Sequence, residues 1–247
     1  AIVTDFAVHG FWIHRNVDRY VVATEAMRDA LLARQVRADA IAVTGIPVGP
    51  EFAPSAEPRD ALRERLDIPR DRCVALVMGG GLGMAPLEGI LRALDAVRTP
   101  LAAVVIAGRN LRMERRLIAG AESVDYPVRV LPFIDNVYDY MHASDVLITK
   151  PGGLSSAEAL VAQLPMILCK PLPGQEERNA RVLVNAGAAV RTPGLRELPA
   201  MLEALLGDAA RVKAMLAAAR TLGRRDAAYA AASEIARLIE IRKDVVA

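Results

Sequence analysis

The chain has 247 residues, of which 53% are hydrophobic and 24% charged, and a formal net charge of +2. That length supports one large domain or one and a fraction, and the composition is that of an ordinary globular α/β protein. So small a charge does not point to nucleic acid, and aromatics at 4% exclude base stacking as the main business of the surface.

In chain order, residues 1–5 (Ala1-Ile2-Val3-Thr4-Asp5) read as a strand already under way without an initiator Met, as in a piece cut from a longer chain. Strand patterns follow at 19–23 and 40–44, with a helix at 25–35 between them. The run Ile46-Pro47-Val48-Gly49-Pro50-Glu51-Phe52-Ala53-Pro54 breaks the alternation and is the best domain boundary. It leaves residues 1–48 as the end of an N-terminal domain, too small for a core of its own, and 49–247 as a C-terminal domain with terminal helices. Beyond it, strands at 74–78, 102–107, 128–131, 146–149, 166–169 and 188–191 alternate with helices at 59–66, 86–96, 112–119, 137–143, 156–162, 177–186 and 196–206. This predicts a doubly wound, mostly parallel sheet. Residues after Ala209 are helical without strand signals. Cys73 and Cys169 sit in apolar runs without CxxC spacing and read as reduced core residues of a cytosolic protein. No apolar run reaches the ~18 residues of a membrane span, and no signal-peptide pattern is present.

Three loops at predicted strand ends carry chemistry. Met78-Gly79-Gly80-Gly81-Leu82-Gly83-Met84 follows the strongest strand, and its glycines let backbone N–H groups approach an anion. Its spacing is neither G-x-G-x-x-G nor a Walker loop, which disfavours NAD and ATP but not a phosphate cradle; a plain βα turn is the alternative. Gly152-Gly153-Leu154-Ser155 is a second such turn. Ser155 and Glu158 fit a capping box, with Ser155 at N-cap and Glu158 at N3; the functional alternative places Glu158 on ribose hydroxyls. In Pro173-Gly174-Gln175-Glu176-Glu177-Arg178-Asn179, Gln175 and Glu176 are either a solvated helix start or a clamp for sugar hydroxyls. Phosphate beside polyol means a nucleotide sugar. Residues 4–14 hold the sole Trp and two of the three His, so His9 is either a base on the acceptor side or part of a packed loop. Arg109, Arg112, Arg115 and Arg116 form a solvated helix face or, against a bilayer, an attraction to anionic lipid.

Together these motifs resemble glycosyltransferase family 28 of the GT-B superfamily, in particular its monogalactosyldiacylglycerol synthases and processive diacylglycerol glucosyltransferases. The matching pieces are Thr4-Asp5-Phe6…His9…Trp12, Thr44-Gly45-Ile46-Pro47-Val48, the Gly79–Met84 loop, Ala107-Gly108-Arg109-Asn110, Phe133-Ile134 and the stretch 150–180, in family order across nearly the whole chain. The resemblance implies a GT-B fold whose C-terminal domain binds a UDP-hexose, with the tail end of a Rossmann-like N-terminal domain before it. Arg109 would stand at the donor and Phe133 and Ile134 by the uracil. Glu158 would hold the ribose, and Gly81, Gly83, Gly153, Leu154 and Ser155 would surround the diphosphate. Gln175 and Glu176 would hold the hexose, supported by Asn179. It further implies inverting transfer of glucose or galactose to diacylglycerol or a related lipid, without bound metal or cofactor. The setting would be the inner face of the plasma membrane, where a cytoplasmic enzyme is held peripherally on anionic lipid; nucleic acid is not a partner. His9 is the base-side candidate, and the fragment alone is expected to be inactive. A UDP-sugar epimerase and a non-catalytic nucleotide-sugar-binding subunit of a two-chain transferase are the alternatives. One departure stands out: Gly49 occupies the position after Gly-x-Pro-Val where the family commonly has Arg.

Overall fold

The computed structural model describes residues 1–80 and 85–246. Gly81 and Gly83, expected in a phosphate turn, lie outside the described residues. A small parallel sheet pairs β1 (Tyr20–Val22) with β2 (Ile41–Val43), connected through α1 (Glu25–Leu32). Ile2, read as part of a strand, makes an isolated bridge to Val21. After α2 (Arg59–Arg65) comes a second sheet built from β3 (Cys73–Met78), β4 (Leu101–Ile106), β5 (Val128–Leu131), β6 (Val146–Thr149), β7 (Met166–Leu168) and β8 (Ala189–Arg191). Its order is β5-β4-β3-β6-β7-β8, with every neighbouring pair parallel. The connecting helices are α3 (Leu87–Leu94), α4 (Leu111–Ala121), α5 (Val137–Ala143), α6 (Gly153–Ala162) and α7 (Gln175–Asn185). Three more close the chain: α8 (Leu198–Leu206), α9 (Ala209–Leu222) and α10 (Ala227–Val246).

β3 and β4 are unbroken apolar runs because helices cover both faces of the sheet. Alternate residues feed two cores. Leu76 and Met78 pack with Leu62 of α2, Met141 of α5, Leu160 of α6 and Leu183 of α7. Ala75, Val77 and Val105 pack with Ile90 of α3, Leu117 of α4 and Leu202 of α8. Each leucine removed from water here contributes about 1.5–3 kcal/mol, and a one-residue slip of any strand would exchange the two faces.

The segment 46–54 lies between the two sheets, and the apolar core runs across it. Val3, Phe6, Val8 and Tyr20 share a cluster with residues of α6 and α7. α10 reaches the smaller sheet as well. Its Glu234 pairs with Arg19 at 2.9 Å, and Arg224, just before the helix, donates to the Val43 carbonyl at 3.1 Å. The physical reason is that a two-stranded sheet is marginal alone and needs an added layer. Among the described residues no helix is long and apolar enough to cross a membrane.

Candidate functional site

From β3 the sheet grows through β4 to β5, and the chain then returns to lay β6 against the other edge of β3. Reversals of this kind open a crevice at the carboxyl ends of the strands. A cavity of about 410 Å³ lies there, within the range of small-molecule sites. Met78 at the end of β3 with Gly80 after it, and Ile106 at the end of β4 with Gly108 after it, supply part of its lining. Phe133 and Ile134 come from the connection after β5; Leu154, Ser155 and Glu158 come from α6. Gly80 and Gly108 have φ of +73° and +70°, left-handed conformations that glycine adopts without strain as the chain turns away from the strands. The Arg109 guanidinium lies 4.4 Å from the centre of the Phe133 ring, so a cation rests on an aromatic that is itself 45% exposed.

α6 begins at Gly153, three residues before its expected start. Its N-cap is Gly152, and no side chain caps it. Ser155 is therefore the third helical residue and Glu158 the sixth, and the capping box does not form. The Thr4 backbone passes the helix start so closely that a Cβ on Gly153 would meet its carbonyl oxygen at 1.9 Å. Glu158, released from capping, turns its half-buried carboxyl to the cavity. Burial, and then the charge of Glu51, push it up to about 7. Glu51 reaches this position through Gly49: a Cβ there would stand 2.1 Å from a Glu51 carboxyl oxygen. The missing side chain at position 49 thus leaves room for a carboxylate.

Gln175, Glu176 and Asn179 do not line the cavity; they stand at the start of α7 against the N-terminal segment. Asn179 is fully buried, and its side chain is engaged inside the protein. Its Oδ1 accepts from Phe6 N–H at 2.9 Å, while its Nδ2 donates to Asp5 Oδ1 at 2.6 Å and to the Pro151 carbonyl at 3.1 Å. With both polar atoms of its side chain engaged, Asn179 suits the supporting place expected of it. Gln175 Nε2 donates to the Ala7 carbonyl at 2.7 Å, but its Oε1 is buried without a partner. Glu176 pairs with Lys150 at 2.5 Å and accepts from Leu172 N–H at 2.9 Å. Burial raises Asp5 above the usual carboxylate range; the Asn179 bond opposes this, and the charge of Glu176 adds to it.

His9 caps a short 3₁₀ turn, Gly10–Trp12. Its Nδ1 accepts from Phe11 N–H at 3.2 Å, and its ring packs on Phe11 and Trp12. An accepting Nδ1 leaves the proton of the neutral ring on Nε2, which then donates rather than accepts. These contacts fit the packed-loop alternative for His9. The basic cluster also divides: Arg116 pairs with Glu88, while Arg112 and Arg115 stay exposed on α4.

Sequence reasoning gave no role to Lys150, Asp5 or Glu51. A charged residue directly after a fully buried strand and before a Gly-Gly turn was a readable signal for Lys150. Asp5 stood inside a motif already singled out, and Glu51 gave no signal within its Pro- and Gly-rich loop. The assembled site offers an exposed aromatic, a carboxylate for hydroxyls, an uncapped helix start for an anion and, one turn away, a partly buried ammonium.

Comparison with known proteins supplies a family and a fold. Residues 74–232 match the glycosyltransferase family 28 C-terminal domain, and residues 1–48 match monogalactosyldiacylglycerol (MGDG) synthase. A processive diacylglycerol beta-glucosyltransferase of Bacillus thuringiensis (strain Al Hakam) is 32% identical over 228 residues, 92% of this chain and 58% of that protein. This chain therefore spans somewhat more than half the length of that relative. The crystal structure of Acinetobacter baumannii MurG superposes with a TM-score of 0.70 at 20% identity, covering 96% of this chain and 66% of that one. Anabaena Alr3699/HepE in complex with UDP-glucose gives 0.63 at 17% identity, covering 92% and 64%. At such identities the likeness is one of fold, and that fold is of GT-B type.

Proposed function

The chain belongs to glycosyltransferase family 28, and from that premise we propose that it holds the UDP-hexose side of an inverting lipid glycosyltransferase acting on diacylglycerol or a related lipid. The observation that carries this reading is the cavity at the strand-order reversal, around which an exposed aromatic, a carboxylate and an uncapped helix start meet. In this reading uracil rests by Phe133 and Ile134, the ribose hydroxyls donate to Glu158, and the diphosphate faces the first turn of α6 beside Leu154 and Ser155. Negative charge grows on the departing UDP as the glycosidic bond breaks. Oriented N–H groups and the positive end of α6 stabilise that charge without having to reorganise. Gln175 Oε1, an acceptor left without a partner, is available to a hexose hydroxyl.

The printed substrate of the Bacillus relative supports diacylglycerol as the acceptor class, and the UDP-glucose of the HepE structure supports the donor class. Residues 1–48 are read as part of an acceptor-side domain. α4 presents Leu111 and Ile118, 65% and 48% exposed, on one face with Arg115 and beside Arg112. That pattern suits a peripheral hold on an anionic leaflet at the inner face of the plasma membrane. Co-sedimentation with vesicles with and without phosphatidylglycerol tests it: binding that ignores the anionic lipid rejects the surface.

Titration calorimetry with UDP, UDP-glucose and UDP-galactose tests the donor site. Micromolar to sub-millimolar binding is expected, and no heat at millimolar ligand sinks the reading. Transfer to lipid by these 247 residues alone is expected to be negligible, since the Bacillus relative is much longer. Glycolipid made by the purified chain would overturn that expectation.

A further inference from the structure

Lys150 has no part in the reading above, and its surroundings give it one. It follows Thr149, the last residue of β6, so its backbone stands at the crevice. The Thr149 hydroxyl donates to the Met78 carbonyl at 3.0 Å and ties the ends of β6 and β3 together. The Lys150 stem lies over Gly80, where an added Cβ would be 3.0 Å from Cε and 3.8 Å from Nζ. Gly80 lines the cavity, so the lysine runs along its edge. From there the ammonium reaches across to Glu176 on α7, in a pair whose side chains are only 18% and 13% exposed. Both Glu176 oxygens are engaged, one by Lys150 and the other by Leu172 N–H. Beside Glu176, Gln175 keeps a buried oxygen with no donor, and a buried acceptor left open marks a place for a missing group. The charge of Glu176 is in turn felt at the Asp5 carboxyl, which it helps to raise.

We propose that Lys150 and Glu176 form an exchangeable pair that couples diphosphate binding to hexose recognition. The inference rests on the UDP-hexose reading. With the site empty, Lys150 neutralises Glu176 and holds it away from other donors. A diphosphate at the start of α6 carries more charge than one carboxylate and draws the ammonium to itself. A lysine suits this exchange, being a point charge with three donors on a flexible four-carbon stem. Glu176, losing its cation, then faces Asp5 with uncompensated charge and accepts hydrogen bonds donated by hexose hydroxyls, next to the open oxygen of Gln175. Phosphate and sugar therefore favour one another's binding, as any two ligands do that bias the same two-state element.

The test is titration of the wild type, Lys150→Met, Lys150→Arg and Glu176→Gln with uridine, UDP and UDP-glucose, followed by NMR. Uridine affinity should be the same in all four. UDP should bind about tenfold more weakly to Lys150→Met, the worth of one charge-assisted contact, and largely recover in Lys150→Arg. Glu176→Gln should bind UDP more tightly than the wild type, since the lysine is already free, and should lose its preference for UDP-glucose over UDP. A purely structural pair would weaken UDP in both neutralising variants. Unchanged UDP affinity in Lys150→Met, or weakened UDP affinity in Glu176→Gln, overturns the proposal. A wild type that binds neither uridine nor UDP sinks the donor reading and this inference with it. If Lys150→Met does not fold, the Lys150 ammonium resonance of the wild type decides. It should move with UDP and not with uridine, and a resonance indifferent to UDP rejects the exchange.

Discussion

The two ends of the site treat their polar groups in opposite ways. Around the cavity, Glu158 meets no capping demand, the start of α6 has no side-chain cap, and Phe133 is open to solvent. At the start of α7, Asn179 and one end of Gln175 are tied to residues 5–7 and Glu176 to Lys150. One end is prepared for a ligand, while the other is largely closed on the protein itself. Residue types that look alike in sequence thus serve recognition at one place and assembly at the other, and the difference is whether their hydrogen-bonding capacity is already filled.

The largest test of that contrast is Asn179→Ala. It strips the Phe6 N–H and the Pro151 carbonyl of partners in a fully buried place, and roughly 3–4 kcal/mol of stability should go, read by urea unfolding. A loss below about 1 kcal/mol would break the assembly half of the comparison. Glu158→Gln should act the other way. A carboxyl at about 7 in the folded chain and near 4.5 in the unfolded one keeps a proton that the unfolded chain has released. Its contribution is therefore neutral below pH 4.5 and increasingly destabilising as the pH climbs to about 7. The amide should recover on the order of 2–3 kcal/mol at pH 8 and almost nothing at pH 4, as urea midpoints at the two pH values would report. UDP affinity of the wild type should fall as pH drops below about 7, because the neutral carboxyl accepts the ribose hydroxyls poorly; a flat profile removes Glu158 from the ribose. The smallest effect is expected from Phe133→Ala. Its loss of base stacking should weaken UDP by about 1–2 kcal/mol and leave the melting temperature unchanged, since the ring is nearly half exposed. A drop in melting temperature without loss of UDP binding would assign the ring to packing.

The strands of the larger, parallel sheet were legible, though not their order, because buried parallel strands are long apolar runs, and β3, β4 and β6 are bounded by turn residues. Leu154, Ser155 and Glu158 were singled out from a turn at a strand's carboxyl end and the helix after it, whereas Phe133 and Ile134 came only from the family resemblance; all five line the cavity. The start of α6 was not legible. Ser155 and Glu158 satisfy the local rule for a cap, yet the helix starts at Gly153, beside the Thr4 carbonyl more than a hundred residues away in sequence. The partners of Asn179 and the return of α10 to β1 and β2 were hidden for the same reason: they are long-range contacts, and periodicity carries only local information. Glu51 was hidden by a different kind of fact, the empty space above Gly49.

The crossing of Thr4 over Gly153 has a consequence for recombining relatives. A crossover at the change of sheets, near residue 49, would join a foreign segment to a helix start shaped around this one. It would separate Asn179 and Gln175 from the backbone atoms at positions 6 and 7 that they hold. Exchangeable modules in such chimeras therefore do not coincide with the sheets. Positions 4–8, 151–153 and 175–179 travel as one unit, and a transplant that respects the linker but divides this unit should yield protein that expresses poorly.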